Sequence, residues 1–178
     1  MSEFIQGHTS EWVNYFRSAD YPAVRPLASG VEGAIYKLGD GLVAKVWGRR
    51  RFAELERMQR FYADTANAAL PFATPEILKI ESVDGVGVTY ERELHGEPLQ
   101  KHLAAEDPDV EPAAAAALSH VLAALAAVPG TLCMKDVPVL DEEHSMWTGK
   151  ATFPEAIIGL LDRRMSRFAP VLAPKVEG

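Results

Sequence analysis

Lys45 stands inside Leu42-Val43-Ala44-Lys45-Val46-Trp47, a run that is otherwise apolar and strand-like. An ammonium group in such a setting is costly unless an anion meets it. Upstream, Ser29-Gly30-Val31-Glu32-Gly33 reads as a turn. Gly30 and Gly33 carry no side chain, so backbone N–H groups there can approach phosphate oxygens closely. Downstream, a helical stretch carries Glu54 and Glu56, and either carboxylate is placed to reach back and hold the lysine. Taken in that order, turn, lysine and carboxylate suit the gripping and neutralising of a phosphate chain. Each part also has a plainer reading: a strand lysine facing water at a sheet edge, an ordinary glycine turn, a solvated glutamate on a helix. The ordered set is more specific than its parts.

The elements that would position these groups follow from periodicity and turn chemistry. Residues 10–18 predict a short helix with Trp12, Val13 and Phe16 on one side, before Pro22 and Pro26 break the chain. Residues 24–28, 34–38 and 42–47 predict three strands, with Gly39-Asp40-Gly41 as a tight hairpin turn between the last two. Residues 50–66 predict a helix with Phe52, Leu55, Met58 or Gln59, and Tyr62 on one face. Residues 76–83 and 86–94 predict two further strands joined by Asp84-Gly85. Beyond Gly96 the pattern turns helical. One helix near Pro112 carries Leu118, Val121, Leu122 and Leu125 on a stripe and ends at Pro129-Gly130. A second is opened by Thr152-Phe153-Pro154-Glu155, which has the form of a capping box, with Ile157, Leu161, Met165 and Phe168 expected inward. Residues 171–178, with Pro174, are expected to trail off. A boundary near residues 95–98 therefore separates a mostly β front part from an all-helical part.

The totals narrow the function classes. The chain has 178 residues, 48% apolar and 24% charged, with a net charge of −7 and no long basic run. Nucleic acid is a poor partner for such a surface. Cys133 is the only cysteine, which excludes an intrachain disulfide and a cysteine-based zinc site. It reads as a small packing residue. The five histidines are scattered, and none pairs with another at metal-ligand spacing. The opening Met1-Ser2-Glu3-Phe4 lacks the basic-then-apolar order of a signal peptide. The most apolar stretch, residues 113–128, falls short of the ~20 residues that span a bilayer. A cytoplasmic protein with no membrane partner is expected. Thr148-Gly149-Lys150 matches a phosphate-binding loop only in part and reads as coincidence. Strand-like residues follow Gly30-Val31-Glu32-Gly33, which argues against a dinucleotide-binding turn.

The glycine hairpin, the Val43-Ala44-Lys45 strand, the glutamate-bearing helix and the two strands leading to Tyr90-Glu91-Arg92-Glu93-Leu94-His95-Gly96 together resemble the ATP-binding lobe of the protein-kinase-like superfamily. Within it, Leu94-His95-Gly96-Glu97-Pro98-Leu99 is similar to the segment leaving the hinge in the aminoglycoside/choline phosphotransferase branch. The resemblance covers residues 24–99 well and residues 100–178 only as the start of a helical lobe. It implies an α+β fold: a kinase-like N-lobe, with a five-stranded antiparallel sheet and one helix, followed by a partial helical C-lobe. The corresponding division is an N-terminal helical extension (1–23), an ATP-binding lobe (24–96) and a partial helical lobe (97–178). Carried over by position, Ser29, Gly30, Val31 and Gly33 cover the ATP phosphates, and Lys45 contacts them. Glu54 is the helix partner, preferred over Glu56 because Met58 and Phe61 follow it at the family's spacing. Backbone groups of Glu91, Arg92, Glu93 and Leu94 form the hinge that meets adenine. Val31, Ala44 and Leu94 sandwich its ring.

One part of the family pattern is missing. Residues 97–178 contain no His-Gly-Asp or His-x-Asp followed by Asn. Those carboxylate and amide groups are what would hold Mg²⁺ and orient an acceptor hydroxyl. The chain is therefore expected to be a fragment of a longer enzyme, with no catalytic and no metal-binding residue of its own. Its helical stripes would then be exposed and inclined to pair two copies. Two readings follow. One is the ATP-binding portion of a phosphotransferase that, with Mg²⁺ in the complete enzyme, phosphorylates a hydroxyl of a small, aminoglycoside-like molecule. The other is a non-catalytic kinase-like module that binds nucleotide or a protein.

Overall fold

The computed structural model describes residues 9–39, 41–48, 50–96, 110–139 and 142–176. Asp40 in the predicted hairpin turn, and the Glu97-Pro98-Leu99 segment, lie outside them. By contacts the chain forms two units, residues 1–129 and 130–178.

The first unit begins with α1 (Ser10–Ser18), whose N-cap Thr9 accepts from the Trp12 N–H. Five strands follow: β1 (Arg25–Gly30), β2 (Gly33–Gly39), β3 (Leu42–Trp47), β4 (Ile77–Val83) and β5 (Val86–Arg92). Helix α2 (Phe52–Ala66) lies between β3 and β4 in sequence. The strands form one sheet in the order β1-β2-β3-β5-β4, and every neighbouring pair is antiparallel. This is the α+β arrangement expected of a kinase-like N-lobe. The Asp84-Gly85 turn is as predicted: both residues have positive φ, the geometry that matches the twist of a two-residue hairpin.

Side chains alternate across a strand, and the two faces of the sheet are covered differently. Ala34, Tyr36, Leu38, Ala44, Val46, Val88 and Tyr90 point to one face and pack under Trp12 and Phe16 of α1. Phe16 is fully buried, with its ring 5.3 Å from that of Tyr36. Polar bonds fix the helix in place. The Thr9 N–H donates to the Tyr36 hydroxyl, and the hydroxyls of Tyr15 and Tyr90 both donate to Glu81, at 3.1 and 3.0 Å. Lys79 also pairs with Glu81, and that contact is the main reason its carboxyl is held below the usual range.

On the opposite face α2 packs against β4 and β5. Leu55 is fully buried there, and a Cβ on Gly87 would stand 2.6 Å from its Cδ1. The glycine is what lets the helix come so near the strand. The Gln59 side chain donates to the Ile77 carbonyl at 2.9 Å. Helix α3 (Val110–Ala126) completes the described part of this unit, with Leu118, Leu122 and Leu125 exposed and Ala114 buried.

The second unit holds the short α4 (Leu132–Lys135) and the long α5 (Phe153–Val176). The predicted capping box is present. Glu155 accepts from the Ala151 and Thr152 N–H groups, and Thr152 accepts from the Glu155 N–H. The predicted inward stripe is shifted. Ala156, Ile157 and Leu160 pack with Met146 and Trp147, whereas Leu161 and Met165 are more than half exposed. The partner of α5 within this unit is one small cluster before the helix, so only its first two turns are pulled inward. The helix also continues through Pro170 and Pro174 to Val176, where the sequence predicted a stop. The two prolines are four residues apart, so the lost N–H donors fall on one side of the helix. Among the described residues no helix is long and apolar enough to cross a membrane.

The β1–β2 hairpin rests directly on β3. Gly33 has φ +150°, and a Cβ there would lie 1.9 Å from the Val46 carbonyl oxygen, whereas one on Gly30 would meet nothing within 4 Å. Gly33→Ala is therefore expected to destabilise the chain by at least about 2 kcal/mol. Gly30→Ala should change stability by no more than about 1 kcal/mol. Urea unfolding midpoints of the two variants check this.

Candidate functional site

Lys45, the centre of the predicted site, lies on the face of the sheet opposite α1. Its neighbours there follow from register. Lys45 is paired with Ile35 on β2 and Thr89 on β5, Val43 with Lys37 and Glu91, and Trp47 with Gly33 and Gly87. The Lys45 Nζ lies 3.6 Å from the centre of the Trp47 ring, a cation–π contact. The ring is held from behind. Trp47 Nε1 donates to Thr89 Oγ1 at 2.9 Å, and the Thr89 hydroxyl donates onward to Glu91. A fully buried hydroxyl thus both accepts and donates, and the indole cannot turn without leaving polar groups unmet.

The anion that meets Lys45 is Glu32. Its Oε2 lies 3.3 Å from Lys45 Nζ, and its Oε1 accepts from Arg50 Nη2 at 2.7 Å. The Arg50 hydrogen bond is the chief reason the Glu32 carboxyl is held below the usual carboxylate range, with the Lys45 charge adding to it. The expected helix partner does not make this contact. Glu54 accepts from the Arg51 N–H at 2.8 Å and from the Arg51 guanidinium, closing the first turn of α2. Burial pushes the Glu54 carboxyl up, but the bonds from Arg51 outweigh it and leave it lowered. The reason is proximity: α2 begins at Phe52, so Glu54 falls three residues after the N-cap, where a carboxylate is drawn to the unpaired N–H groups of the helix end.

The other predicted residues separate into three places. Ser29 and Gly30 close β1, Gly33 opens β2, and the turn itself is only Val31 and Glu32, with Val31 89% exposed at its tip. Ala44 lies on the wrong side for an adenine wall. It is fully buried in the core beneath α1, while Val43 and Ile35 share the Lys45 face. Of the hinge residues, Glu91 and Arg92 still belong to β5. The Arg92 N–H donates to the Glu76 carbonyl and the Glu93 N–H to the Gly41 carbonyl. The Glu93 side chain pairs with Lys37 at 2.8 Å, which lowers its carboxyl. Leu94 follows, half exposed.

Glu32 and Arg50 escaped the sequence reading. Glu32 was visible in the turn as the sole charge between two glycines, and Arg50 belongs to the Arg49-Arg50-Arg51 run just after β3. A cavity of about 640 Å³ also opens at the Trp47 end of β3, lined by Trp12, Tyr15, Trp47, Arg50, Phe52 and Val86 among others. It is at the end of the strand away from the hinge, because Leu42 pairs with Arg92 and Trp47 with Gly87. Among the described residues no three His, Cys, Asp or Glu side chains gather to hold a metal ion.

The model of the phosphotransferase enzyme family matches residues 23–167 of the chain. No curated protein matches it.

Glu32 has a depressed carboxyl in the folded state, so its ion pairs contribute above the ordinary glutamate value and are lost as pH falls through the lowered one. A ¹³C NMR titration should place the Glu32 midpoint below that of an unperturbed glutamate. Arg50→Gln should move it back upward.

Proposed function

The chain belongs to the phosphotransferase enzyme family, and from that premise we propose that its front part binds ATP on the Lys45 face of the sheet. Residues 24–96 form the nucleotide lobe, residues 1–23 its helical extension and residues 97–178 part of a helical lobe. The observation that carries this reading is the placement of Lys45. Its side chain is only 19% exposed, and the ammonium is seated on the Trp47 ring and already answered by a carboxylate. A phosphate oxygen is the ligand such a group suits, because phosphoryl transfer relies on positioning and charge neutralisation. The hairpin of Ser29, Gly30, Val31 and Gly33 would lie over the phosphates. Val43 takes the role expected of Ala44. Because the Arg92 and Glu93 N–H groups already donate to the Glu76 and Gly41 carbonyls, adenine would be met by the backbone at Leu94.

ATP supplies the phosphoryl group to be transferred, and in the complete enzyme the acceptor would be a hydroxyl of a small, aminoglycoside-like molecule. Mg²⁺ would accompany ATP there, although no three His, Cys, Asp or Glu side chains gather to hold it among the described residues of this chain. Residues 97–178 carry no His-x-Asp with a following Asn. That same feature favours a second reading, a kinase-like module that binds nucleotide without transferring phosphate.

A thermal-shift titration with a non-hydrolysable ATP analogue tests the site. Ligand that binds only the folded chain must stabilise it, by about 2.7 kcal/mol at a hundredfold excess over Kd. Lys45→Ala should weaken binding about tenfold or more, or about 1.4 kcal/mol. Binding untouched by Lys45→Ala would remove Lys45 from the site. In a phosphoryl-transfer assay the chain alone should turn over no faster than its Lys45→Ala variant.

A further inference from the structure

Glu32 holds the position that the proposed nucleotide phosphates would need. Its two oxygens are divided between two cations: Oε2 faces Lys45 at 3.3 Å and Oε1 takes a hydrogen bond from Arg50 at 2.7 Å. A phosphate, like this carboxylate, can offer one oxygen to the guanidinium and another to the ammonium. We propose that Lys45 and Arg50 form a two-cation clasp for the polyphosphate of the nucleotide, and that Glu32 is a built-in competitor that closes the clasp when no nucleotide is bound.

The three side chains differ in their freedom to move. Lys45 is tied down, since its ammonium sits on an indole whose N–H is itself bonded to the buried Thr89. Arg50 also faces that ring, with its guanidinium carbon 5.8 Å from the centre. Glu32 is in the two-residue turn of the β1–β2 hairpin, its side chain about half exposed at 52%. It can leave by rotating into water, without disturbing the Gly33 contact that seats the hairpin on β3. An exchange of one anion for another keeps both cations satisfied throughout, so neither charge is left buried and unpaired. A ligand with several phosphate charges would outcompete a single carboxylate, whereas one with none would not. The clasp thus selects triphosphate over nucleoside by charge, and Arg50 adds a phosphate-binding residue that the family pattern on this chain does not supply.

The inference rests on the nucleotide reading above, and calorimetric titrations with a non-hydrolysable ATP analogue, inorganic tripolyphosphate and adenosine separate the two. Glu32→Gln keeps the size of the side chain and removes its charge. It should tighten the ATP analogue and tripolyphosphate by about three- to tenfold, with adenosine unchanged. Arg50→Gln should weaken the same two ligands by about tenfold and again spare adenosine. Thermal melts confirm that both variants are folded. If Lys45→Ala abolishes binding while Glu32→Gln leaves the affinities unchanged or weaker, the competitor role is overturned and the nucleotide site stands. If Arg50→Gln leaves both anions unaffected, the clasp is overturned. If neither the native chain nor Glu32→Gln binds any of the three ligands, both readings fall together.

Discussion

A positive charge set into an apolar strand must be compensated, and the front part of this chain is arranged around that requirement. Lys45 is the sole charge on β3. Removing an ammonium from water costs several kcal/mol unless an aromatic face and an anion replace the lost hydration. Trp47 supplies the face and Glu32 the anion. Each depends on something further. Trp47 keeps its orientation through Thr89 and Glu91 on β5. Glu32 reaches Lys45 because Gly33 lets the β1–β2 hairpin lie against the Val46 carbonyl. The β2–β3–β5 register is thus what assembles the cluster from three separate stretches of sequence.

Much of the fold was legible in the sequence. Turn residues with a specific conformational duty, such as Asp84-Gly85, marked the strand ends, and the helical spacing of Leu55, Gln59 and Tyr62 marked the face of α2. Lys45 stood out because a lone charge in an apolar run is unusual. The misplacement of Ala44 has a simple cause. Adjacent residues of a strand face opposite sides, so Ala44 and Lys45 could not both line one site, and Val43 was the residue of matching parity. Glu54 was preferred for the Met58 and Phe61 that follow it, a pattern blind to the competing demand of the helix end, where Arg51 and its N–H are nearer. The Glu32–Arg50 contact depends on where a hairpin tip lands beyond the sheet, which no local pattern encodes. In α5 the helical period was right, but the inward face depended on which earlier residues would pack against it.

The two faces of the sheet are covered differently. The α1 face is closed by aromatic packing and by the bonds of Tyr15, Tyr90 and Lys79 to Glu81. The Lys45 face carries Lys37, Lys45, Glu91 and Glu93, in contacts that a charged ligand can join or replace. Rigid support on one side and exchangeable ion pairs on the other are what a preorganised anion site requires.

Everything proposed for this face turns on whether nucleotide phosphates bind at Lys45. The most direct measurement is a ¹H–¹⁵N NMR titration of the chain with a non-hydrolysable ATP analogue, following the three indole N–H signals and the amides of the β1–β2 hairpin. Binding at Lys45 should give saturable shifts of the Trp47 indole and of the Gly30 and Gly33 amides, with the Trp12 and Trp147 indoles left in place. Saturable binding that moves Trp12 or Trp147 and leaves Trp47 and the hairpin unshifted would contradict it.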